Sequence, residues 1–143
     1  MVYVRIMAVL FLVCLSVCDL RSRTIPVWPI PLFAVMSAAA HLVLRDLPVM
    51  DILTGILPGV FFLVLAVIYS SSIGMGDALV IAACGLAVGF TAEFCALVTA
   101  LVLCAAYAAA ALIRKKVTRR DSMAFLPFLT AGHVLVLIAE VCT

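Results

Sequence analysis

A chain of 143 residues with 69% hydrophobic residues, 11% charged residues and a mean hydropathy of +1.42 lies far outside the range of water-soluble domains. Nine basic and seven acidic residues leave a net charge of +2, too small and too dispersed for nucleic-acid binding. Residues 1–143 are therefore read as a single membrane-embedded domain with no soluble domain.

Six apolar segments follow one another, at about 3–18, 27–44, 50–70, 77–91, 93–113 and 124–141. At roughly 20 residues per crossing they predict about six transmembrane helices. The alternation of a membrane barrel is missing, and open sheets cannot satisfy their backbone in lipid, so the fold class is all-α and polytopic. In the first segment Arg5 precedes an apolar run from Ile6 to Val17. No A-x-A site follows, and Val17 stands where a lipoprotein signal has a small residue before its cysteine, so cleavage is not expected. In the second, Pro26 is expected within the first turn of a helix and Trp28 as an interfacial anchor. Pro29, Pro31 and Pro58 read as kinks or packing features.

Gly55 with Gly59, and Gly85 with Gly89, give two G-x-x-x-G spacings that favour close helix contact. The Ala-rich run Ala105 to Ala111 suits the same kind of packing. In the last segment His133 is costly in lipid and is expected to face the bundle in a hydrogen-bonded structural role rather than a catalytic one. Cys14, Cys18, Cys84, Cys95, Cys104 and Cys142 show no metal-ligand spacing and read as small buried hydrophobes.

The connecting segments fix an orientation. Arg21 and Arg23 follow the first helix and Arg114, Lys115, Lys116, Arg119 and Arg120 follow the fifth, whereas the alternate side holds only Arg45 and Arg5. Basic residues mark the cytoplasmic side, so the loops after helices 1, 3 and 5 are predicted to be cytoplasmic and both termini outside. Asp46, Asp51, Glu93 and Glu140 fall on the outer side, are expected among the headgroups and are assigned no chemistry.

The same topology, derived from arginine and lysine alone, brings Asp19 and Asp77 to one face at similar depth. Asp77 follows Gly74, Met75 and Gly76, a stretch whose two glycines let another chain approach closely. Two carboxyl groups a few ångströms apart cannot both ionise cheaply, so they share a proton. One can then take a proton from water while the other polarises a peptide carbonyl, with no metal or cofactor needed. For each aspartate alone a structural reading also fits: Asp19 ending helix 1 at the headgroups, Asp77 as an N-cap. Ser70, Ser71 and Ser72 have no neighbouring His, and His41 and His133 lie on different helices without Glu or Cys at ligand spacing, which disfavours serine and metalloprotease chemistry.

The stretch Asp19, Leu20, Arg21, Ser22, Arg23, Thr24, Ile25, Pro26 resembles the D-x-R-x-R-x-I-P segment of the type IV prepilin peptidases, and GMGD at 74–77 resembles their GxGD motif. Pro127 to Gly132, reading P-F-L-T-A-G, is similar to the family's P-F-L-A-L-G at the start of the last helix. This resemblance implies a membrane aspartyl endopeptidase that removes the leader of prepilin or pseudopilin-like proteins at the cytoplasmic face of the inner membrane. Asp19 and Asp77 match the family's catalytic pair, Gly74 and Gly76 its active-site loop, with Arg21, Arg23, Pro26 and Pro127 in supporting or substrate-positioning places. The implied partners are a substrate carrying a short basic leader before a hydrophobic helix, and membrane lipid. The loop Arg114 to Arg120 has the sign of such a leader, so it is read as a topological and lipid-binding element.

Three departures stand out: Leu79 where the family often has Lys, Val27 where Asn usually follows I-P, leaving Thr24 as the helix cap, and Ala124, Phe125, Leu126 in place of Pro-Phe-Gly. Arg21 or Arg23 is the expected substitute for the missing lysine. The chain begins at helix 1, like the short peptidase-only forms often linked to tight-adherence pili, which implies neither methyltransferase activity nor zinc. The alternatives are a non-catalytic pilus assembly scaffold and a small ion- or proton-coupled transport subunit, the latter lacking its expected acids at mid-membrane depth. A presenilin-like GxGD protease fits less well, for want of length and a P-A-L motif.

Overall fold

A computed structural model describes residues 2–22, 25–44, 47–69, 74–114 and 124–142. They form an all-α membrane protein of seven helical segments: α1 (Val2–Ser22), α2 (Pro29–Leu44), α3 (Val49–Gly55), α4 (Leu57–Ile68), α5 (Met75–Val88), α6 (Phe90–Ile113) and α7 (Leu126–Cys142). No strand occurs among the described residues. Helices α3 and α4 make one apolar span, Val49–Ile68, interrupted at Ile56. Pro58, the second residue of α4, has no N–H for a continuing helical ladder, and Ile56 closes a tighter turn onto Leu53 O at 3.3 Å. Six spans result, as the hydropathy pattern predicts. Three are long and apolar enough to cross a membrane unaided, namely α1, α3–α4 and α6, while α2, α5 and α7 are shorter.

Helix α5 is the centre of the bundle, packed against α1, α2, α3, α4 and α6. Its buried set, Ala78, Val80, Ile81, Ala83, Cys84, Gly85, Ala87 and Val88, runs around most of its circumference, the pattern of a helix enclosed by others. Small residues permit this. A Cβ at Gly85 would stand 1.9 Å from Gly55 O, and one at Gly59 would stand 2.3 Å from Ala82 N, so both glycine spacings mark backbone-to-backbone crossings. Likewise α6 and α7 meet where a Cβ on Gly132 would lie 2.3 Å from Ala96 O. Between α5 and α6 the chain reverses through Gly89 alone, at φ 84°, a conformation that β-carbon sterics disfavour in other residues.

Two groups of contacts mark the bundle's two ends. Asp19, Ile25, Asp77 and Leu126 gather at one. At the other, Arg5 pairs with Glu140 and lies within coulombic range of Asp51. Leu42, Val43 and Ile113 are exposed on the perimeter, where a bilayer would meet them with acyl chains. The cysteines depart from expectation: Cys84 alone is buried, Cys104 is half-buried, and Cys14, Cys18, Cys95 and Cys142 are exposed. Hydropathy reports that a residue tolerates an apolar medium and does not separate protein from lipid. The Ala-rich run behaves the same way, with Ala111 buried and Ala105, Ala106, Ala109 and Ala110 exposed.

Candidate active site

The buried face of α1 runs Val4, Ala8, Leu12, Leu15, Ser16, Asp19, a helical stripe whose last member is a carboxylate. Asp19 is thus carried inward by the same periodicity that buries its leucines, and is only 7% exposed. The backbone N–H of Leu126, the first residue of α7, is turned toward its carboxyl. First-turn N–H groups have no partner within their own helix. Pro127 has none to offer, while Phe128 N and Leu129 N turn back to Phe125 O at 3.0 and 3.2 Å. The Leu126 N–H is what remains of that turn to meet Asp19.

Asp77 is the third residue of α5 and half-buried. Gly74, extended at φ −70° and ψ 123°, occupies the N-cap, so Asp77 is not the cap that one sequence reading allowed. The Asp77 carboxyl lies within coulombic range of Asp19. Asp19 Oδ2 and Asp77 Oδ1 are both buried and have no hydrogen-bond partner among the described residues. Buried polar atoms are almost always satisfied, so two orphaned carboxylate oxygens brought together make this end a candidate site; Arg5, His41 and Glu93 each hold one further orphaned buried atom.

The two glycines act differently. A Cβ on Gly74 would lie 2.9 Å from Asp77 Oδ2, so the bare backbone there leaves the carboxyl its room. A Cβ on Gly76 would meet Ile25 Cδ1 at 3.1 Å and Ile25 Cβ at 3.2 Å. The segment after α1 therefore rests on the GMGD turn through Ile25, and Leu126 ties α7 to Asp19. Three sequence-distant stretches converge on one pair of carboxyl groups.

The supporting residues are more dispersed. Arg21 is exposed in the last turn of α1, and Arg23 and Thr24 lie outside the described residues, as does the basic segment from Lys115 to Arg120. Pro26 precedes α2 by three residues instead of sitting in its first turn; Pro29 opens that helix, and Ile30 N closes the preceding turn on Val27 O at 3.3 Å. Pro127 is the second residue of α7. Leu79 packs against the apolar core.

A second polar pair escaped the sequence reading. Glu93 is fully buried in the first turn of α6, not among headgroups, and its Oε2 lies 3.0 Å from His133 Nε2. His133 faces the bundle as expected, with Nδ1 3.0 Å from Leu129 O. His41, also buried, has Nε2 2.8 Å from Ala87 O, a carbonyl in the last turn of α5 that lacks an onward helical donor. An acid and a histidine inside two apolar segments were the available signal, since each needs a partner away from lipid.

The described residues thus form an all-helical membrane bundle with Asp19 and Asp77 near each other at one end. The sequence model of the type IV leader peptidase family matches residues 6–109, a stretch holding both Asp19 and Asp77, and the chain belongs to that family. No curated protein and no solved structure matches the chain.

Proposed function

We propose that this leader peptidase is an aspartic endopeptidase in which Asp19 and Asp77 share one proton and activate water. The observation that carries this reading is the pair of orphaned oxygens, Asp19 Oδ2 and Asp77 Oδ1, on carboxyls close enough to feel each other's charge. The ionised member removes a proton from water as it attacks the scissile carbonyl. The protonated member donates to the carbonyl oxygen and, with the roles exchanged, a proton reaches the leaving amine. The Leu126 N–H fixes Asp19, and Gly74 keeps the approach to Asp77 narrow.

The substrate is a prepilin or pseudopilin-like chain, cut where its basic leader meets a hydrophobic helix. In the sequence, seven of the nine basic residues lie between the first and second and between the fifth and sixth apolar segments, which supports a cytoplasmic active site in the inner membrane with both termini outside. Val27 and Leu79 are the positions where cleavage preference departs from the commoner family pattern.

The test is co-expression with a prepilin from the same genome, read by gel shift and mass spectrometry, for wild type, Asp19→Asn and Asp77→Asn. Asparagine keeps size and removes acid–base function. Cleavage by wild type and loss in both folded variants is the expected result; full activity in either variant overturns the mechanism.

A further inference from the structure

Glu93 and His133 stand apart from the carboxyl pair and take no part in the chemistry above, yet they are among the most buried polar groups of the chain, at 0% and 5% exposure. Both ring nitrogens of His133 are engaged, Nδ1 with Leu129 O and Nε2 with Glu93 Oε2, each at 3.0 Å. A carbonyl oxygen only accepts, so Nδ1 carries a hydrogen and donates it. The Nε2–Oε2 contact then holds one proton, on whichever partner. With both nitrogens occupied the ring cannot turn without breaking a bond, and α7 is pinned to α6.

A steric contact sits beside the polar one. Gly132 precedes His133, and a side chain there would collide with Ala96 O, three residues along α6 from Glu93 and hence on the same helical face. Gly132 against Ala96 sets how closely the helices approach; His133 on Glu93 sets where along α6, and at what rotation, α7 stops. Leu126 is seven residues from His133, about two turns or roughly 10 Å along a stiff helix, so an axial slip at His133 appears undiminished at Leu126.

We infer that the Glu93–His133 pair is a positioning device for the carboxyl pair: it sets the axial register of α7 so that the Leu126 N–H meets Asp19. The inference rests on the aspartic reading for its kinetic consequence and on geometry alone for its structural one.

Two measurements on His133→Ala, Glu93→Gln and wild type keep these apart. The first is kcat and KM for prepilin cleavage. His133→Ala lowers kcat about 10- to 100-fold with KM nearly unchanged, because a displaced catalytic group slows the reaction without altering substrate contacts. Glu93→Gln stays near wild type, because glutamine can donate to or accept from Nε2. The second is the Leu126 amide resonance in micelles after 13C-Phe, 15N-Leu labelling, which selects the four Phe–Leu steps at Leu12, Leu63, Leu126 and Leu129. Asp19→Asn identifies the Leu126 signal. His133→Ala moves that signal toward the position of an unbonded amide, and Glu93→Gln does not. An unchanged Leu126 resonance in folded His133→Ala overturns the inference, as does an unchanged kcat. If Asp19→Asn still cleaves, the aspartic reading falls and the amide shift alone decides the register. Should the alanine variant fail to accumulate, His133→Gln, which cannot bridge Leu129 and Glu93 together, replaces it under the same criteria.

Discussion

The backbone N–H of Leu126 faces the carboxyl of Asp19, bringing the first turn of α7 against the last full turn of α1. That contact connects two stretches at opposite ends of the sequence and explains the place of Pro127. By lacking an N–H, Pro127 leaves the helix start with one donor aimed at one acceptor, and its ring favours the backbone angle the first turn needs.

Removing the donor without removing the helix isolates its worth. Leu126→Pro is compatible with the first helical position and deletes the N–H, while Leu126→Ala deletes the buried side chain and keeps it. A hydrogen bond to a charged group contributes about 1.5–3 kcal/mol, so Leu126→Pro is expected to cleave about 10- to 100-fold more slowly than Leu126→Ala. Equal rates in the two variants, measured as initial velocities on the same prepilin, would remove Leu126 from the mechanism.

Gly74 and Gly76 separate activity from folding. An added methyl at Gly74 meets only the far end of the Asp77 side chain, which can swing aside. The fold survives, with a cost within about 1 kcal/mol for a less suitable cap residue, but the carboxyl is displaced. Gly74→Ala is therefore expected to retain wild-type thermal stability in detergent and lose at least about tenfold in kcat. At Gly76 the methyl also meets Ile25 Cβ, which is fixed to the backbone, so Gly76→Ala shifts the whole segment after α1 and lowers stability and activity together.

The spans and the meeting of Asp19 with Asp77 were legible from hydropathy and the distribution of arginine and lysine, because lipid restricts both so strongly. The orientation of Asp19 had a signal that the sequence reading leaves unused, the apolar stripe of period 3.6 that it completes. What escaped depends on partners far along the chain. Glu93 looks like a boundary acid until α7 delivers His133 to it; Leu126 looks like any apolar residue until its N–H is seen against Asp19. Pro58 reads as a kink and does break the span at Ile56, whereas the late start of α2 turns on which proline opens a helix, and Pro26 does not state that locally. The exposed cysteines depart from the sequence reading because apolar side chains suit both media.

Backbone contacts carry the packing, which makes two further glycines the sensitive points. A methyl at Gly85 would penetrate Gly55 O and one at Gly132 would press on Ala96 O, in each case against backbone that cannot rotate away. Overpacking of this kind costs about 1–3 kcal/mol or more. Gly85→Ala and Gly132→Ala are expected to lower the midpoint of thermal unfolding in detergent, whereas Ala109→Gly on the exposed face of α6 leaves packing untouched. A Gly85→Ala chain that melts like wild type would contradict the close crossing of α3 and α5.

The pair of carboxyls sets the pH dependence. Chemistry requires one proton between Asp19 and Asp77, so kcat is expected to fall on the acid side, where both are protonated, and on the alkaline side, where both are ionised. The two limbs belong to the pair and not to one residue each. Replacing either aspartate with asparagine abolishes the whole bell rather than one limb, because the surviving carboxyl has no partner with which to divide the roles of acid and base. Leu126→Pro instead preserves the bell at a lower maximum, since both carboxyl groups remain to divide the roles. A profile of initial cleavage rates across the range in which the bundle stays folded checks all three forms. A single-limbed profile for wild type would mean that the two groups do not act as a unit.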